Sequence, residues 1–75
     1  MNYKKTEPRF KDGWGETIKD IREHRGYTIQ YVADRVGVSK TTVSRWEKEM
    51  MVPELRLAAR LANVLKVDLE TIFMI

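Results

Sequence analysis

A short segment of the chain carries four polar side chains whose types and spacing suit hydrogen bonding to a ligand. These are Lys40, Thr41, Ser44 and Arg45. On a helix they share the outer face, because positions three and four apart lie on the same side. Val43 and Trp46 then occupy the inner face. The pattern predicts a short amphipathic helix that exposes hydroxyl groups and two cations.

Capping residues define this helix and another before it. Ser39 can cap the helix just described, and Thr28 can cap the preceding one. The apolar residues of that preceding helix fall on one face: Val32, Ala33 and Val36. Gly37 lies between the helices and readily adopts the positive φ of a helix C-terminus. Residues 28–48 therefore predict a helix-turn-helix, a motif that places its second helix in the major groove of DNA.

Three further helices are predicted to position this motif. The first covers residues 15–25. Pro53 suits the opening of a fourth helix, whose apolar stripe consists of Leu55, Ala58, Leu61, Ala62 and Leu65. Asp68 can cap a fifth helix over residues 69–74. The pattern predicts an all-α fold, a compact bundle of five helices without strand-like alternation.

The length of 75 residues predicts one domain, residues 14–75, preceded by a basic arm at residues 1–13. The arm can be a solvated tail. Alternatively, its cations can follow DNA phosphates: Lys4, Lys5, Arg9 and Lys11. The aromatic residues Tyr3, Phe10 and Trp14 can instead fold back on the domain or meet a second subunit.

Charge and composition narrow the function classes. The net charge is +3, and residues 28–48 hold four basic and two acidic side chains, which favours one cationic face. The absence of cysteine fits a reducing compartment and predicts a cytoplasmic protein. No segment resembles a signal peptide or a membrane span.

Catalytic and cofactor chemistry is not predicted. The sequence offers no paired nucleophile and base, no metal-ligand cluster and no phosphate-binding glycine loop. His24 is the only histidine, so a surface position is expected for it rather than a metal site. We therefore expect neither an enzyme nor a cofactor, and no small-molecule effector is evident.

The order of these segments resembles the lambda-repressor-like family of helix-turn-helix domains, the Cro and Xre types. The matching segments are residues 15–22, 25–28, 32–39, 42–47, 53–55 and 61–69, ending at Phe73. The resemblance implies a compact five-helix bundle that binds duplex DNA. It also implies a homodimer, at least on DNA, that occupies a pseudo-palindromic operator.

The resemblance implies a role for individual residues. It places Lys40, Thr41, Ser44 and Arg45 at base edges, and Thr42 on the backbone side. Phosphate contacts are expected from residues near helix N-termini and from a flanking cation: Thr28, Gln30, Ser39 and Lys48. The family also pairs an arginine of the first helix with the glutamate that closes the recognition helix, here Arg22 and Glu47.

Two positions depart from the family pattern. Ile29 stands where the family commonly has a glutamine that meets a phosphate, and Gln30 is rotated by about 100° around the helix. Glu49 stands where a glycine is usual, so the recognition helix is expected to run on or to cap differently. An acidic side chain there is also expected to repel phosphates mildly. Beyond it, Met50, Met51 and Val52 form either the edge of the core or a dimer contact.

These features predict a sequence-specific double-stranded DNA-binding transcriptional regulator of prokaryotic, phage or mobile-element type, associated with the nucleoid. A small repressor or Cro-like protein would act by occupying an operator, with residues 39–48 in the major groove. The alternative is a protein-interaction module on the same fold, such as an antitoxin or a transcriptional co-regulator. Such a module would hold its partner through the arm, the methionine-rich loop or the last three residues.

Overall fold

The computed structural model describes residues 9–74, which fold into four α-helices and a short β-ladder. The helices are α1 (Trp14–His24), α2 (Ile29–Val36), α3 (Lys40–Glu47) and α4 (Leu55–Leu65). A 3-10 helix (Leu69–Thr71) follows α4. Strand β1 (Arg9–Phe10) pairs with β2 (Phe73–Met74) in an antiparallel ladder. The fold is helical and contains the expected helix-turn-helix, formed by α2 and α3. None of these helices is long and apolar enough to cross a membrane.

The predicted fifth helix over residues 69–74 is wrong. Only a single 3-10 turn forms there, and the Asp68 side chain makes no capping hydrogen bond to it. Thr71, Ile72 and Phe73 are β-branched or aromatic, and such residues favour strands over helices when a partner strand is available. Here β1 supplies that partner, and the Lys11 backbone N–H also donates to the Ile72 carbonyl at 3.0 Å.

β1 lies in the segment that was predicted as the N-terminal arm. Residues 1–8, with Tyr3, Lys4 and Lys5, lie outside the described residues. The Phe10 ring packs against Trp14 and Phe73, with centroids 4.6 and 4.9 Å apart. Phe10 and Trp14 therefore fold back on the domain, which was one of the two alternatives for the aromatic residues. The described fold begins before residue 14.

The hydrophobic core lies between the helices and holds α3 by its inner face. Val43 and Trp46 are buried, together with apolar residues from every other helix and from the C-terminal segment: Trp14, Ile18, Val32, Ala33, Val36, Leu61, Leu65, Ile72 and Phe73. Burying side chains of this size contributes roughly 1.5 to 3 kcal/mol each before the loss of conformational entropy. Because the inner face of α3 is held in this way, its polar face is left at the surface.

The loop between α3 and α4 does not belong to the core. Met50 is 70% exposed and Val52 is 63% exposed, and Met51 and Leu55 are also exposed. Of the two alternatives for Met50, Met51 and Val52, the core edge is therefore wrong, and the dimer contact stays a prediction. Their chain segment follows the left-handed Glu49 at the end of α3, whereas the next residue, Pro53, is buried.

Candidate nucleic-acid interface

Local hydrogen bonds set the ends of α2 and α3. The Thr28 hydroxyl accepts from the Tyr31 backbone N–H at 3.0 Å and caps α2. The Ser39 hydroxyl accepts from the Thr42 backbone N–H at 3.1 Å and caps α3. Gly37 ends α2 with φ of 91°, a left-handed conformation that costs glycine little. These short-range contacts fix where the second helix of the motif begins.

The outer face of α3 brings the four candidate base-contacting residues together. Lys40, Thr41 and Arg45 are exposed, and Ser44 is half-buried. All four line one shallow depression of about 340 Å³, which we call the reading surface. Three other residues complete its lining: Ile29, Lys48 and Met50. The reading surface thus combines three cations with two hydroxyl groups.

The expected phosphate-contacting residues differ in how they are placed. Thr28 and Ser39 cap helices, so their hydroxyls lie at the N-termini of α2 and α3, where the helix dipole favours an anion. Lys48 is exposed at the other end of α3 and lines the reading surface. The Gln30 amide instead donates to Asp34 at 2.8 Å within α2. The Thr42 hydroxyl lies 2.9 Å from that of Ser39.

Arg22 and Glu47 form a buried ion pair that connects α1 with α3. Arg22 Nε donates to Glu47 Oε2 at 2.6 Å, and Nη2 donates to Oε1 at 3.2 Å. Their side chains are 9% and 7% exposed. Arg22 Nη1 also donates to the Tyr27 carbonyl at 2.8 Å, in the segment before α2. The hydrogen bond to Glu47 raises the pKa of Arg22 despite the opposing effect of burial. The guanidinium thus joins three parts of the domain.

Glu49 supplies a second connection between the same two helices, which was not predicted from the sequence. Its backbone is left-handed, with φ of 57°. The Glu49 N–H donates to the Trp46 carbonyl at 3.0 Å and the Met50 N–H donates to the Arg45 carbonyl at 2.9 Å, the Schellman pattern of a helix C-terminus. The Glu49 carboxylate turns away and accepts from the Gly15 N–H at 2.9 Å. It therefore caps the N-terminus of α1, where Gly13 provides no side-chain cap.

Gly15 is required for this contact because the two helices approach closely. A Cβ atom at Gly15 would lie 2.6 Å from the Glu47 carbonyl oxygen and 2.8 Å from that of Trp46. No side chain fits there without moving backbone. The sequence contained two signals for this contact: a glycine in the first turn of α1 and an acidic residue just after α3. Neither signal alone predicts which residue it contacts.

Ile29 and Met50 are the other residues that sequence reasoning did not place at the site. Both line the reading surface beside the polar side chains of α3. The only signal at Ile29 was its departure from the polar residue expected there. Met50 was assigned to the core or to a dimer contact. The structure therefore adds two apolar groups to a surface that was expected to be polar.

Comparison with known proteins assigns the chain to a family. A family model described as helix-turn-helix matches residues 18–72. This range contains α2, α3 and α4 in full and most of α1. The chain belongs to this helix-turn-helix family. Its resemblance to the lambda-repressor-like, Xre-type domains is thereby confirmed, and the regulator SinR is among the similar proteins and structures.

Similar curated proteins carry the names of transcriptional regulators. The HTH-type transcriptional regulator YgzD of Bacillus subtilis, itself uncharacterized, is 32% identical over 56 residues, covering 75% of this chain and 85% of that protein. An uncharacterized HTH-type transcriptional regulator of Methanothermobacter thermautotrophicus is 42% identical over 59 residues, covering 73% of this chain and 86% of that protein. A longer HTH-type transcriptional regulatory protein of Pyrococcus abyssi is 38% identical over 50 residues, and the chain spans only 16% of its length.

Two solved structures contain a similar fold together with DNA. The biofilm regulator SinR in complex with DNA superposes with a TM-score of 0.72 at 29% identity, covering 77% of this chain and 94% of that chain. The P22 c2 repressor in complex with a synthetic operator gives a TM-score of 0.76 at 23% identity, covering 80% and 91%. The second likeness establishes the fold alone.

Proposed function

We propose that this chain is a sequence-specific double-stranded DNA-binding transcriptional regulator that acts as a small repressor. The observation that carries the proposal is the reading surface, where Lys40, Thr41, Ser44 and Arg45 line one depression on the outer face of α3. The family membership and the SinR–DNA complex support the same assignment. Binding would place α3 in the major groove and block the operator sterically, in the prokaryotic nucleoid.

The side chains of the reading surface match the groups on base edges. Lys40 and Arg45 can donate to guanine O6 and N7, and Arg45 can do so with two hydrogen bonds. Thr41 can donate, accept or place its methyl group against thymine, and Ser44 is small enough to allow close approach of the helix. These four residues would therefore determine sequence preference.

Phosphate contacts would fix the orientation of the domain on the duplex. Thr28 already accepts a backbone N–H, so its hydroxyl proton can be donated to a phosphate oxygen. Ser39 can donate in the same way when Thr42 is the donor within the pair of hydroxyls that these two residues form. Lys48 adds a cation at the C-terminal end of α3. Gln30 and Thr42 already have partners, so their phosphate contacts would require those hydrogen bonds to be shared or exchanged.

Selection from a random duplex pool followed by a salt series tests this function. We expect one preferred sequence and an affinity that falls steeply as salt rises. Arg45→Ala and Lys40→Ala should each weaken binding to that sequence by roughly 1 to 3 kcal/mol. Lys19→Ala on α1 is the matched control, since it removes an exposed cation outside the reading surface. Absent or salt-independent binding would contradict the regulator and favour the antitoxin or co-regulator alternative.

We further propose that the chain binds a pseudo-palindromic operator as a homodimer. The exposed Val52 and Leu55 provide apolar surface for a second copy. Sedimentation with and without the selected duplex measures the stoichiometry directly. If one chain bound to one half-site, the proposals of a homodimer and of a pseudo-palindromic operator would be contradicted, while the proposal of DNA binding would stand.

A further inference from the structure

Two apolar side chains lie among the polar groups of the reading surface. Ile29 and Met50 line the same depression as Lys40, Ser44 and Arg45. Met50 is 70% exposed, so the fold gains little from its burial. Ile29 is half-buried and packs partly against the core, with its remaining surface in the depression. Apolar groups beside cations suit a ligand that carries an apolar group among its polar ones.

Backbone structure holds both residues in place. Met50 follows the left-handed residue at the end of α3, and its N–H bonds to the Arg45 carbonyl, which returns the chain toward the helix. Ile29 is the first residue of α2, directly after the capping Thr28. Neither position depends on a long flexible segment. The two side chains are therefore presented to the same ligand as the polar residues of α3.

The chemistry of the major groove identifies the group that these residues fit. Base edges in this groove display hydrogen-bond donors and acceptors, together with the C5-methyl group of thymine as their apolar feature. An apolar side chain opposite a donor or an acceptor would remove water without replacing its hydrogen bond. Opposite a methyl group, the same side chain removes apolar surface from water on both partners.

We propose that Ile29 and Met50 are specificity-determining residues that each bind the C5-methyl group of a thymine in the operator. The inference rests on the proposed function, because it requires the reading surface to face the major groove. It assigns a role in base recognition to Ile29, at a position where the family commonly has a glutamine that contacts a phosphate. The operator half-site then contains thymines at defined positions beside the bases read by Lys40 and Arg45.

Replacing single thymines of the selected duplex by deoxyuridine tests the proposal, since uracil keeps the hydrogen bonds of thymine and lacks only its methyl group. We expect about a fourfold loss of affinity at each contacted position, the equivalent of one buried methyl group. Met50→Ala should abolish the loss at one position, and Ile29→Ala should abolish it at another. Met51→Ala is the matched control, because Met51 is an exposed methionine of the same loop outside the depression.

The ratio of affinities for the thymine and uracil duplexes separates this proposal from other roles. If Met50 contacted a second copy of the chain, Met50→Ala would weaken both duplexes equally and the ratio would remain. The proposal would also be overturned if the wild-type protein bound every deoxyuridine-containing duplex as tightly as the selected thymine duplex. Ile29→Gln provides a second variant if Ile29→Ala fails to fold. Failure of the proposed function differs from all of these outcomes, because no duplex would then be selected.

Discussion

At the scale of single residues, two carboxylates near the end of α3 hold α1 in different ways. Glu47 binds the Arg22 guanidinium through two hydrogen bonds, and Glu49 accepts a backbone N–H. Neither carboxylate belongs to the reading surface, so both are available to brace it. The mild repulsion of phosphates expected for Glu49 is reduced by this orientation, because its charge faces a helix N-terminus.

Removing Arg22 should destabilise the domain strongly. Arg22→Ala leaves the buried Glu47 carboxylate without its partner, and we expect the free energy of unfolding to fall by roughly 3 to 5 kcal/mol. Urea denaturation monitored by circular dichroism measures this change. The double variant Arg22→Ala/Glu47→Ala should cost clearly less than the sum of the two single variants. Additive losses would mean that the two residues stabilise the fold independently.

The pH dependence of this contribution follows from the direction of the shift in pKa. Glu47 raises the pKa of Arg22 in the folded state. The contribution of the ion pair to the free energy of unfolding is therefore complete below the pKa of an arginine in the unfolded chain. It is lost only as the pH rises through the still higher folded value. The effect of Arg22→Ala should therefore be equal at neutral and mildly alkaline pH. A smaller effect on the alkaline side would contradict this assignment.

At the scale of elements, helix caps formed by residues close in sequence were predictable, and the cap that a distant residue provides for α1 was not. Thr28 and Ser39 cap residues three positions away, so local sequence contains both partners of each hydrogen bond. The bond from Gly15 to Glu49 joins residues 34 positions apart. Local patterns carry no information about such a contact. Within residues 69–74, likewise, the apolar pattern was right but its helical interpretation failed, because the competing strand lies at the other end of the chain.

Substitutions at Glu49 should separate backbone strain from capping. Glu49→Ala keeps a non-glycine residue at positive φ and removes the carboxylate, so the free energy of unfolding should fall by about 1 kcal/mol. Glu49→Gly also loses the cap but relieves strain of about 1 kcal/mol, and should therefore lie close to the wild-type protein. Thermal or urea unfolding of the three proteins measures both effects. If Glu49→Ala were as stable as wild type, the carboxylate would not stabilise α1.

At the scale of the whole molecule, the β-ladder attaches the N-terminal segment to the C-terminal one. Phe10 lies opposite Phe73 in the ladder and contacts both its ring and that of Trp14. Trp14 and Phe73 belong to the core, and the half-buried Phe10 packs against it. The sequence left residues 1–13 open between a solvated tail, a DNA-contacting arm and a segment that folds back, and Phe10 follows the last of these alternatives.

Phe10→Ala should destabilise the domain without changing its mode of DNA recognition. The substitution removes a half-buried ring and two aromatic contacts, and we expect the free energy of unfolding to fall by about 2 kcal/mol. Affinity for the selected duplex should be unchanged at a temperature where both proteins are folded. Arg9→Ala is a suitable control for the unfolding measurement, since Arg9 is exposed in the same strand. A loss of affinity in folded Phe10→Ala protein would place this segment at the DNA.

The ladder also has a consequence for the order of events in folding. Pairing Phe10 with Phe73 closes a loop that contains all four helices, whereas helical turns and the contact between α2 and α3 involve residues close in sequence. Loop closure costs entropy that grows with loop length, so the ladder should form after the helical bundle. Stopped-flow kinetics of Phe10→Ala should then show faster unfolding with an almost unchanged refolding rate. The two ends of the domain would be the last parts to join and the first to separate.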